Sequence, residues 1–234
     1  MGMDLGFLLL LPAMALAFFA QMRVKSAFKR YSKVQNIQNI TGAEVARHLL
    51  VLSGVHDVGI REVPGTLTDH FDPRSNMVGL SKDVFHGTSI AAISVAAHEI
   101  GHAIQHDESY APLAVRSTIF PVARFGSGIA PWLIIGGIFL SSGAGSIGML
   151  MAYVGLILFM FYFMFSLFTL PVEFNASRRA MELLEENNFI HQSEVRGASK
   201  VLNAAALTYL AATLIALIQL LRFALIVMGG RRGD

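Results

Sequence analysis

From Phe125 to Leu170 the chain carries no Asp, Glu, Lys, Arg or His. About twenty apolar residues span the hydrocarbon core of a bilayer, so this run is too long for one crossing. Near its middle, Ser141 to Ser146 reads SSGAGS, small turn-forming residues that suit the tip of a hairpin. Two further apolar runs extend from Leu5 to Ala20, closed by Gln21, and from Ala204 to Leu221. The composition agrees: 54% of residues are hydrophobic and 15% charged, where a soluble domain carries roughly a quarter. The pattern predicts a mainly α, multi-pass membrane protein with about four transmembrane helices, at residues 5–21, in a two-helix hairpin over 126–170, and at 204–228.

The flanking charges orient these segments. The tripeptide Ala15–Ala17 resembles a signal-peptidase site, but MGMD at the start has no basic residue, and Arg23, Lys25, Lys29, Arg30 and Lys33 follow the apolar run. Basic flanks stay on the cytoplasmic side, which favours a retained anchor over a cleaved signal and places residues 22–124 in the cytoplasm. Four crossings leave the C-terminal GGRRGD outside, where Arg231 and Arg232 oppose the same tendency. The net charge of +2 reflects such flanks and gives no support to a nucleic-acid partner. A transporter is disfavoured because the crossings hold almost no ionisable residue besides Arg222. With no cysteine, any metal must be held by His and carboxylate.

Two water-facing regions remain, residues 22–124 and 171–203. Thr41 and Glu44 have capping-box spacing ahead of Val45, Leu49 and Leu50, predicting a short helix that ends near Gly54. Asp57–Val63 and Asn76–Ser81 read as strands separated by the turn-rich GTLTDHFDPRSN. Within that connection His70, Asp72 and Arg74 either stabilise a turn or orient a ligand, and turn chemistry is the simpler reading. Asn76–Ser81 is expected as an edge strand, open to a peptide added by main-chain hydrogen bonds or closed by a neighbouring element.

The next helix starts at Thr88 or Ser89 as N-cap and runs to about His106. At roughly one hundred degrees per residue Ile90, Ile93, Ala97, Ile100 and Ile104 share one stripe, while His98 and His102 lie opposite, giving an amphipathic helix. Gly101 borders the stripe, where its missing side chain admits another backbone or a ligand. His98, Glu99 and His102 spell H-E-x-x-H. Histidines one turn apart can reach the same zinc ion, and the adjacent glutamate can take a proton from the metal-bound water. His106 repeats the spacing, but stands about 12 Å from His98 along a straight helix. The metal motif that uses a downstream histidine needs a glycine turn, and Gln105 occupies that position. His106 is therefore expected at the rim or behind the ligands.

A third ligand is expected beyond the hairpin. Pro171 suits the first turn of a helix, on which Glu173, Ala176, Ser177 and Ala180 share a face. Two crossings return this segment to the side of His98 and His102, and Arg178, Arg179, Arg196 and Lys200 agree. The competing reading of Glu173 is a membrane-edge carboxylate paired to an arginine.

Taken together, GTLTDHFDPRSNMVGLS, SIAAISVAAHEIGHAIQH, PVEFNASRRA and VLNAAALTYLAA resemble the YugP-like neutral zinc metallopeptidases of bacterial membranes. The resemblance implies a small α+β zincin-like (gluzincin-type) lobe on a multi-pass protein, one catalytic Zn2+ on His98 and His102, and Glu99 as general base. EFNAS is also similar to the E-x-x-A-D element of the HtpX and CAAX-processing type, which supports Glu173 as a metal ligand. Ser177 stands where those peptidases have Asp, so another group must orient a ligand histidine. Arg178, Arg179, Tyr110 and His106 are the candidates for stabilising the oxyanion. The expected activity is hydrolysis of peptide bonds in exposed segments of membrane proteins. The alternative is a proteolytically silent membrane scaffold or regulator with a structural zinc.

Overall fold

The structure, a computed structural model, describes Leu5–Gly229. The N-terminal MGMD and the C-terminal Arg231 and Arg232 lie outside the described residues. The chain divides into two compact units, one of Phe19–Leu113 with Pro171–Thr208, the other of the remaining apolar segments.

The first unit begins with the end of α1 (Leu5–Tyr31), a helix that continues past the predicted boundary at Gln21. α2 (Gly42–Leu52) opens on Thr41, whose side chain accepts from the Glu44 N–H while the Glu44 carboxylate accepts from the Thr41 N–H, the expected reciprocal cap. Three short strands follow: β1 (Gly59–Val63), β2 (His70–Asp72) and β3 (Met77–Ser81). Their order is β1-β3-β2, with β1 parallel and β2 antiparallel to β3.

This order corrects the expectation of an edge strand at Asn76–Ser81. β3 is central, and Val78 to Ser81 are buried without alternation, as both faces and both edges are covered. The correction comes from β2, three residues inside the connection read as turn. The turn itself is as expected: Asp72 accepts from the Arg74 N–H at 3.0 Å and from the Ser75 hydroxyl at 2.8 Å, and Asn76 adopts φ 50°. The edges of the sheet are β1 and β2.

After the single turn α3 (Lys82–Phe85), Ser89 caps α4 (Ile90–Asp107) by accepting from the Ala92 N–H. Ile93, Ala97 and Ile100 are fully buried and join Val45, Leu49, Leu80 and Leu184 in the core. The opposite face is not open to solvent, because Glu99, Gly101 and Gln105 are buried as well. α4 is thus enclosed on nearly all sides rather than amphipathic. The element that closes the second face is α7 (Ser146–Glu186). A Cβ on Gly101 would lie 2.7 Å from the carbonyl oxygen of Ala176, so only glycine lets the two backbones meet here.

Pro171 lies inside α7 instead of starting a helix. Proline removes one backbone donor, a defect that membrane helices tolerate better than soluble ones. α7 stops at Glu186, the chain turns through Asn188 at φ 56°, and α8 (Gln192–Gly229) begins, so 171–203 holds parts of two helices.

In the second unit, α5 (Ala111–Gly128) and α6 (Ala130–Ala144) are bent by 49°. α6 then turns at Gly145 into α7, the hairpin anticipated from SSGAGS. Added Cβ atoms at Gly137 and Gly148 would each lie within 2.6 Å of backbone on the facing helix, the close approach that small residues permit in membranes. Among the described residues, α7 and α8 are long and apolar enough to cross a bilayer, and α5 with α6 makes a third if the bent pair is one span.

Candidate metal centre

α4 and α7 set three donor groups facing one another. Nε2 of His98 and Nε2 of His102 lie 3.4 and 3.5 Å from Oε2 of Glu173. All three donor atoms fall within 4.8 Å of one another. The imidazoles stand nearly perpendicular, at 83°, with centroids 4.8 Å apart. Glu173 is buried, and the histidines are accessible only at their edges.

The donor set fits zinc. Two ligands of a tetrahedral zinc, each at about 2.0–2.1 Å, stand about 3.3 Å apart, close to the two separations seen here. The other ring nitrogens are already engaged, which aims both Nε2 atoms at the carboxylate. Nδ1 of His98 meets the Ser177 hydroxyl at 3.2 Å, and Nδ1 of His102 meets the Gln105 side-chain oxygen at 3.0 Å. Such partners fix the tautomer and ring plane of a ligating histidine.

Ser177 thus touches the histidine that a carboxylate would orient in the similar peptidases, and does so through a neutral hydroxyl. Gln105 was legible only as the residue in place of a glycine. It is fully buried, and its amide nitrogen donates to the Val172 carbonyl at 2.8 Å and to Oδ1 of Asn175 at 2.9 Å. Arg179 donates to the same Asn175 oxygen at 2.8 Å and to Glu108 at 2.6 Å. A polar chain therefore runs from His102 through Gln105, Asn175 and Arg179 to Glu108. Sequence spacing gave no sign of it, since it joins positions about seventy residues apart.

Glu99 lies on α4 beside this group and is buried. Burial pushes its carboxyl above the usual range; His98 and His102 pull it down, while Asp69 and Glu173 push it further up. Asp69 is a second residue whose part the sequence did not reveal. Its carboxylate accepts from the Ser81 N–H at 2.7 Å and from the Ser81 hydroxyl at 3.0 Å, tying the start of β2 to the end of β3. Burial raises its carboxyl too, against those hydrogen bonds.

The remaining candidates are placed as follows. His106 is exposed, its ring 5.6 Å from that of Phe71. Arg178 is exposed and pairs with Glu182 one turn away at 3.8 Å. Arg179 is engaged by Asn175 and Glu108, and the Tyr110 N–H donates to the Gln105 carbonyl at 2.9 Å. His70 keeps Nδ1 2.8 Å from the Thr68 carbonyl, within the turn.

Comparison with known proteins points to the same class of chemistry, a zinc peptidase. The chain is 51% identical over 223 residues to a Bacillus subtilis (strain 168) protein named "Putative membrane protease YugP", covering 95% of this chain and 96% of that one. No solved structure matches the chain. The family described as "Putative neutral zinc metallopeptidase" matches residues 6–228, nearly the whole length, and the chain belongs to that family.

Proposed function

We propose that the chain is a zinc-dependent membrane endopeptidase in which His98, His102 and Glu173 hold one zinc ion and Glu99 is the general base. The observation that carries this reading is the convergence of two imidazoles and a buried carboxylate beside a second buried carboxylate. Three protein donors leave a fourth position for water, as in catalytic zinc sites, whereas structural zinc takes four protein ligands. This favours the peptidase over a silent scaffold.

Zinc, when bound, would lower the pKa of a water and polarise the scissile carbonyl. The Glu99 carboxylate, beside the donor set, would take a proton from the attacking water and deliver it to the leaving amine. Its burial helps, since a carboxyl held above the usual range is a stronger base and takes up a proton more readily at neutral pH. Ser177 and Gln105 hold the imidazoles in the ligating tautomer. A substrate segment adds in extended form along the free edge of β2, whose Phe71 packs on His106 of the metal helix.

The proposed topology has four crossings: the apolar part of α1, the bent α5–α6 pair, α7 and α8. The site lies on the cytoplasmic side of a bacterial inner membrane, marked by the basic end of α1. Substrates are exposed segments of membrane proteins. Glu99→Gln in detergent tests the mechanism: it keeps one zinc per chain and loses cleavage of a casein or membrane-protein probe. Turnover within about ten-fold of the unsubstituted protein removes Glu99 as the base.

A further inference from the structure

The end of α1 and the start of α8 enclose a cavity of about 270 Å³, lined by Arg23, Ser26, Arg30, Lys200, Asn203 and Leu207, with Tyr31 at its base. Three cations line it and no carboxylate does. Among the described residues, no acidic group pairs with Arg23, Arg30 or Lys200 across this cavity. The base of the cavity is firmly built. A Cβ on Gly197 would lie 3.0 Å from the Tyr31 ring, so that ring packs closely against α8 at this glycine, and Arg30 sits 5.9 Å from its centroid. At the other end the Arg23 guanidinium lies 5.1 Å from the Phe19 centroid.

Both helices change character at this cavity. α1 is apolar through Ala20, with exposed Phe18, Phe19 and Met22, and turns basic at Arg23. α8 is basic at Arg196 and Lys200 and apolar from Ala204, with exposed Leu207 and Leu210. The cations thus stand where both helices pass between an apolar and a basic stretch, which is where headgroups lie on helices that cross a bilayer. Basic pockets between membrane helices at this level bind anionic headgroups. The volume accommodates a phosphate and glycerol backbone, with acyl chains continuing along Phe19 and Leu207.

We propose that this cavity seats the phosphate of an anionic phospholipid, whose acyl chains leave it past Phe19 and Leu207. The proposal rests on α1 and α8 both crossing the membrane, and is independent of whether the zinc site cleaves peptides. Native mass spectrometry of the full chain, released from nanodiscs of mixed phosphatidylglycerol and phosphatidylcholine, reads it directly. The unsubstituted protein retains phosphatidylglycerol in preference to phosphatidylcholine. Arg30→Gln with Lys200→Gln weakens that preference about ten- to thirty-fold. Lys29→Gln with Lys33→Gln, on residues lining a different cavity, makes the same change in net charge and leaves the preference in place.

Equal loss in both double variants would reduce the effect to surface charge and overturn the site. Equal retention of the two lipids by the unsubstituted chain would overturn it as well. Complete displacement of the lipid by millimolar inorganic phosphate would assign the cavity to a free phosphate and overturn the lipid. Because all three cations are exposed, the variants retain the fold; single Lys200→Gln, with its smaller expected loss, checks this alongside the circular dichroism spectrum.

Discussion

The side-chain oxygen of Gln105 lies 3.0 Å from Nδ1 of His102, while its amide nitrogen holds Val172 and Asn175 of the helix that carries Glu173. One buried amide therefore orients the His102 imidazole and fixes the helix bearing the carboxylate. Gln105→Leu keeps the volume and removes all three hydrogen bonds. Zinc affinity, measured by competition with a chromophoric chelator, should fall about ten- to one-hundred-fold. Unchanged affinity would show that Gln105 does no more than fill space.

Gly101 sets the distance between the two helices. In Gly101→Ala the added methyl meets the Ala176 carbonyl oxygen at 2.7 Å, and backbone on both sides leaves no flexible group to yield. The helices should separate, with a stability loss of about 1–3 kcal/mol and loss of stoichiometric zinc. Thermal melting and metal analysis of the purified variant check both outcomes.

Asp69 gives a pH signature. Burial raises its carboxyl, so the folded chain holds this proton to a higher pH than the unfolded chain does. The associated stability is complete below the ordinary carboxyl value and is lost as pH rises through the raised one. Asp69→Asn retains an acceptor for Ser81 and removes that loss. Its melting temperature should gain on the unsubstituted protein as pH rises through this window, whereas parallel curves would contradict the assignment. Removal of the Asp69 charge also lowers the Glu99 carboxyl, so the acid limb of kcat/KM should move to lower pH.

Much of the first unit was readable because its signals are local. Ser89 and the Thr41–Glu44 pair cap their helices through neighbouring residues, and in the second unit the hairpin at Gly145 likewise follows from a run of small residues. β2 was unreadable because three residues carry no period, and missing it moved β3 from the centre of the sheet to its edge. Pro171 misled for a related reason: its local preference for a first turn is overridden in a long continuous helix. The roles of Gln105 and Ser177 depend on contacts made across α4 and α7. Neither side chain is a usual partner for a ligand histidine, so nothing in its type announced it.

Metal removal should be visible in stability. A site loaded at about a thousand times its dissociation constant adds about 4 kcal/mol, which a chelator abolishes. Glu173→Gln lacks the anionic donor, so its melting temperature should begin lower and respond little to chelator. An undiminished response would place the metal elsewhere.

X-ray absorption at the zinc edge, on the unsubstituted protein in detergent, tests the central claim most directly. Two imidazole nitrogens and oxygen donors at about 2.0–2.2 Å, with one imidazole lost in His102→Ala and no change in His106→Ala, are the expected result. A third imidazole that disappears in His106→Ala would contradict the His98, His102 and Glu173 site.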